Sequence, residues 1–82
     1  MELYHLRSFI AVANEGHLTR AAQQLYISQP AVSAHIKALE EELGVTLFAR
    51  TPQGMILTSE GTVLKAQAEK SLNTINELFR QA

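Results

Sequence analysis

The stretch from Thr19 to Leu43, TRAAQQLYISQPAVSAHIKALEEEL, constrains the fold most, because it reads as two helices meeting at a tight corner. Ala21 and Ala22 keep the first helix slim enough for the second to cross it closely, with Leu25 as the apolar anchor. The second helix has a well-marked start. Ser28 is suited to accept hydrogen bonds from the unpaired amides of the first turn, and Pro30 sits where a missing N–H costs nothing. Ile27 before this cap and Val32 after it are placed to form a hydrophobic staple. Val32, Ile36, Leu39 and Leu43 then recur at helical spacing and form one stripe, which the pattern assigns to the core. The opposite stripe carries Pro30, Ser33, Ala34 and Lys37, with Gln29 at its leading end.

The elements around this pair complete the pattern. Before it, a helix from about Glu2 to Glu15 repeats Leu3, Leu6, Ile10 and Ala13, with Phe9 and Val12 beside them, and Gly16 ends it. After it, Gly44 suits the left-handed position that closes a helix. The run Val45 to Arg50, the turn Thr51-Pro52-Gln53-Gly54 and the return Met55-Ile56-Leu57 fit two short strands. Proline second and glycine fourth in that turn suit a type I geometry. From the N-cap candidate Thr58 the chain continues as a long helix without proline. The fold class is therefore mainly α: a winged helix-turn-helix of three helices and a two-stranded wing over 1–57, followed by a long dimerisation helix over 58–82.

In such a unit the N-terminal residues of the second helix of the pair read base edges in the major groove. Gln29 carries the amide that pairs with adenine, and Ser33 can donate or accept. Taken alone these are ordinary solvated positions; the wing that follows is what favours the functional reading. Glu40, Glu41 and Glu42 would be repelled by phosphates, so only the first two turns are expected to touch DNA. Arg50, at the end of the first strand, is placed to meet a phosphate or enter the minor groove.

The motifs Leu6-Arg7-Ser8-Phe9, Thr19-Arg20-Ala21-Ala22, Ser28-Gln29-Pro30-Ala31-Val32-Ser33, Leu39-Glu40, Leu43-Gly44-Val45, Leu47-Phe48-Ala49-Arg50 and Leu57-Thr58-Ser59-Glu60-Gly61 lie in one order and spacing across nearly the whole chain. In these the chain resembles the N-terminal domain of the LysR-type transcriptional regulators. The resemblance implies base contacts from Gln29, Pro30 and Ser33, and backbone contacts from Thr19, Arg20 and Arg50, within a wider interface of Ser28, Ala34, Lys37 and Gln53. Family members often carry a basic residue where this chain has Ala34 and another at Gln53. Their absence implies weaker phosphate binding than in a typical relative and more reliance on cooperative assembly. The resemblance also implies a separate effector-binding domain beyond these residues, so that this chain is a fragment that does not sense a small molecule itself.

The charge balance cautions against a purely electrostatic account. Seven Lys and Arg against eight Asp and Glu give a net charge of −1, so Arg7, Arg20, Lys37 and Arg50 would have to cluster on one face. Amides at the starts of the second and third helices can supplement them as phosphate donors. There are no cysteines, and His5, His17 and His35 are too scattered in sequence for a metal site, so neither cofactor nor metal is expected. No nucleophile, base and orienting group share a motif, and no glycine-rich phosphate loop occurs, which argues against an enzyme. A signal peptide and a membrane span are likewise missing from the pattern, and a reducing cytoplasm fits.

Along the last helix Leu64, Ala68, Leu72, Ile75 and Phe79 form a narrow apolar seam, with Val63, Ser71 and Leu78 alongside. The seam runs past the reach of the preceding elements and is therefore assigned to a partner helix. This matches the linker helix through which LysR-type regulators dimerise, and the full-length protein could assemble further into a tetramer. The expected function is sequence-specific binding of double-stranded DNA by a homodimer reading a dyad-symmetric operator. The alternative is a winged-helix protein–protein interaction module, for which the weak net charge speaks.

Overall fold

A computed structural model describes residues 1–81 of the chain. Helices α1 (Leu3–Glu15), α2 (Leu18–Leu25) and α3 (Gln29–Leu43) are followed by strands β1 (Phe48–Thr51) and β2 (Gly54–Leu57) and by helix α4 (Ser59–Gln81). Ala82, the last residue of the expected 58–82 segment, lies outside the described residues.

Local chemistry sets most of these boundaries. Gly16 ends α1 with φ of 74° and donates its amide to the Val12 carbonyl, and Gly44 ends α3 with φ of 70°. Both adopt the left-handed conformation that glycine enters at little cost. The Ser28 hydroxyl accepts from the Ala31 amide at 3.2 Å and Pro30 occupies the first turn, as the sequence leads one to expect. At the start of α4 the Thr58 hydroxyl accepts from the Gly61 amide at 3.0 Å and donates to the Thr46 carbonyl at 2.6 Å. One side chain thus caps the helix and ties it to the chain before the wing. The Glu60 carboxyl in this first turn is held below its usual pKa, chiefly by its own backbone amide and then by the Ser59 hydroxyl.

Helix α1 is the hub and packs on α2, α3 and α4. Its most deeply buried residues are Phe9 and Val12, with Ser8 and Ala11; Leu3 is 40% exposed. The buried face is thus rotated from the Leu3-Leu6-Ile10-Ala13 stripe. Phe9 meets Phe48 with ring centroids 5.4 Å apart and so joins α1 to the wing. Val32, Ile36 and Leu39 enter the core as expected, whereas Leu43 is 40% exposed. The α3 stripe therefore reaches solvent one turn early, where the body beneath the helix ends.

The wing is a two-stranded antiparallel sheet that pairs Phe48 with Leu57 and Thr51 with Gly54. Its first strand starts at Phe48 rather than Val45. The residues before it are held differently: the fully buried Leu47 donates its amide to a Glu40 carboxylate oxygen at 2.7 Å, and its carbonyl accepts from the Thr58 amide at 3.0 Å. Those bonds cross to α3 and α4 instead of pairing along a strand. The wing tip is closed by the Thr51 hydroxyl, which donates to the Gly54 carbonyl at 2.9 Å. On the inner side the Met55 amide donates to the Gly16 carbonyl at 2.8 Å, which docks the wing on the turn between α1 and α2.

Candidate nucleic-acid interface

The expected site residues come from three segments: α2, α3 and the wing. From α2 come Thr19 and Arg20, both exposed; from α3 come Gln29, Pro30, Ala34 and Lys37, also exposed, and the half-buried Ser33. The wing supplies Arg50 and, at its tip, Gln53, both exposed. Two neighbouring grooves gather Thr19, Gln29, Ser33, Lys37 and Arg50, whereas Arg20, Pro30, Ala34 and Gln53 line neither. One is lined by Thr19, Gln29, Arg50 and Gly54, and the other by Ser33, Lys37, Glu40 and Arg50. Arg50 belongs to both. A single guanidinium thus stands between the leading end of the reading helix and its second turn.

Docking of the wing is what places Arg50 there. Gly54 has φ of 122°, and a Cβ at this position would run into the Gly16 carbonyl oxygen and the His17 ring. Only glycine lets the strand come this close. The first turn of α2 lies beside the same groove, and no side chain caps it; uncapped first-turn amides are uncharged anion donors. In α3, by contrast, Ser28 spends its oxygen on the Ala31 amide.

Two expectations about charge need correction. Arg7 does not join the cations of this face; it lines a separate groove with Asn14, Gln24, Leu25 and Leu72. Glu40 is not a bystander that DNA would merely repel. It is half-buried, holds the Leu47 amide and lines the groove that contains Lys37 and Arg50. Its carboxylate tempers the positive field at the second turn. Neither role has a local signature, because each partner is brought in by tertiary packing.

A sequence model described as the bacterial regulatory helix-turn-helix protein, lysR family, matches residues 3–62. The chain belongs to that family. Among LysR-family relatives it is 48% identical over 80 residues to the HTH-type transcriptional regulator ClcR of Pseudomonas putida, covering 98% of this chain and 27% of ClcR. The chain thus spans about a quarter of the length of that relative. Its fold is similar to that of the BenM_DBD/catB site 1 DNA complex, with a TM-score of 0.95 at 41% identity over 99% of this chain and 91% of that one. The CbnR_DBD-DNA complex is similar too, with a TM-score of 0.93 at 36% identity over 99% and 93% of the two chains.

In this LysR-family chain α4 departs from the expected seam. Ala68 and Leu72 are buried within the chain at 2% and 9% exposure, and Leu64 packs against the same core. Ile75 is half-buried, and only Phe79, at 72% exposed, stands clear of the body. Most of the Leu64-Ala68-Leu72-Ile75-Phe79 stripe is therefore spent on the chain's own core. Two of the three histidines also prove less scattered than their spacing suggests. His5 and His35 face each other with ring centroids 5.4 Å apart, and the Ser8 hydroxyl lies 2.7 Å from His35 Nδ1. His35 is held below its ordinary pKa of 6.5 by desolvation first and by repulsion from His5 second.

Proposed function

We propose that this chain is the DNA-binding part of a bacterial LysR-type transcriptional regulator. It reads double-stranded DNA as a homodimer on a dyad-symmetric operator. The observation that carries the reading is the convergence of Gln29, Ser33 and Arg50 on two adjoining grooves that share the arginine. Helix α3 enters the major groove with Gln29, Pro30 and Ser33 at base edges, while Thr19, Arg20 and the open amides of α2 take the phosphates beside it. Arg50 lies on the adjacent backbone or in the minor groove. DNA complexes of two similar proteins support the assignment.

The dimer face on α4 is the stripe Val63, Gln67, Ser71, Thr74 and Leu78. These residues recur at three- and four-residue spacing, carry no charge and are exposed in the single chain. Lys65, Glu69 and Arg80 lie around the helix from them, while Lys70 and Glu77 border the stripe along its Val63 and Thr74 edge. The Thr74 hydroxyl donates back to the Lys70 carbonyl at 3.1 Å. An antiparallel pairing about Ser71 lays Leu78 beside the partner's Leu64. There an apolar groove lined by Leu43, Val45, Leu47 and Val63 waits at the base of α4. Such a pairing is self-complementary, as a two-fold contact requires.

Effector sensing belongs to the rest of the regulator, beyond these residues. The setting is the bacterial cytoplasm, where the chromosome lies; no described helix is long and apolar enough to cross a membrane. Paired substitutions test the roles. Gln29→Ala weakens binding to the preferred duplex by about 1 to 3 kcal/mol and flattens sequence preference, whereas Arg50→Ala weakens all duplexes alike and lowers the salt slope by about one. Identical profiles for the two variants would refute the division into reading and positioning.

A further inference from the structure

The C-terminus of α2 carries a costly residue. Tyr26 has φ of 59°, and it is the one non-glycine residue with positive φ among the described residues. Its amide donates to the Gln23 carbonyl at 3.3 Å, and the Ile27 amide donates to the Ala22 carbonyl at 3.1 Å. That pair of bonds is the Schellman closure, whose left-handed position is usually glycine. A tyrosine there strains the backbone, and nothing inside the chain repays the strain: its side chain is 95% exposed. Strain held at a fully exposed aromatic beside a reading helix points outward, to a ligand.

The position says which ligand. Helix α2 has 8 residues, so its ends are about 12 Å apart, close to the width of the major groove. At its first end Thr19 shares a groove with Arg50, so these two backbone contacts of the DNA-binding reading fall on one wall of the DNA groove. Tyr26 stands at the other end, two residues before the Ser28 cap of α3.

We propose that Tyr26 is a second backbone clamp, donating its hydroxyl to a phosphate on the wall opposite Arg50. The proposal rests on the DNA-binding reading and adds to it a contact that orients α3 from both sides.

The test compares Tyr26→Gly and Tyr26→Phe with the unaltered chain, on a duplex recovered by site selection and on a random-sequence duplex. Glycine relieves the left-handed strain, so Tyr26→Gly melts higher than the parent and cannot lose binding through misfolding. It binds both duplexes about tenfold more weakly, the scale of one hydrogen bond to a charged group. Its salt slope stays unchanged, because no charge is lost. Tyr26→Phe shows most of the same loss. Unchanged binding by Tyr26→Gly, with the parent chain binding normally, overturns the clamp alone. A loss confined to the selected duplex overturns it too, since that would mark a base reader. Failure of the parent chain to bind either duplex overturns both this proposal and the reading beneath it.

Discussion

Replacing Gly54 with alanine isolates the contact that positions the wing. Two costs add at this residue. Its φ of 122° is closed to an L side chain, and the new Cβ would collide with the Gly16 carbonyl oxygen. Backbone strain of this kind costs about 1 to 3 kcal/mol. The collision forces the strand outward and breaks the Met55-to-Gly16 hydrogen bond of 2.8 Å, which adds about 1 kcal/mol. The sum of about 2 to 4 kcal/mol lowers the melting temperature of a domain this size by roughly 10 to 25 °C. Gly44→Ala is the control: φ is 70°, but nothing lies within 4 Å of its Cβ, so only the conformational cost of about 1 kcal/mol applies. Thermal unfolding of both variants at one protein concentration, followed by circular dichroism, gives the comparison. Equal losses in the two variants would refute the claim that wing docking rests on close approach at Gly54.

Other consequences follow from contacts elsewhere in the fold. Glu40→Ala removes the acceptor of the Leu47 amide and destabilises the chain by about 1 to 3 kcal/mol, read by urea unfolding, while Glu40→Gln recovers part of the loss. Because folding depresses the His35 pKa, the unfolded chain binds this proton more readily. Stability is therefore full above pH 6.5 and falls as pH drops through that value, levelling off once the folded His35 is itself protonated; His35→Asn flattens this limb of the unfolding profile. Leu78→Glu sets a charge in the α4 face and shifts the chain from dimer to monomer in sedimentation velocity without lowering its helical signal.

The parts of the fold that were legible in the sequence are those fixed by neighbours along the chain. Ser28, Gly16, Gly44 and Thr58 mark helix ends through bonds to residues a few positions away, and their side-chain types announce it. The phase of α3 was legible for the same reason: its cap and its core stripe of Val32, Ile36 and Leu39 leave Gln29, Pro30 and Ser33 off the buried face. What was misread depends on distant partners. Leu47 looks like a strand residue until Glu40 and Thr58 take its polar groups. The Leu64 to Ile75 stripe looks free until α1 covers it, and His5 and His35 are far apart until α1 and α3 pack. An apolar period reports that a face is buried, and the packing decides against what.

Selection of binding sites from a random duplex pool tests the central claim most directly. Sequencing of the duplexes that the chain retains at low salt should show an interrupted palindrome with half-sites about one helical turn apart, as a two-fold pair of reading helices requires. A pool that stays random while the chain is folded and dimeric would contradict the account.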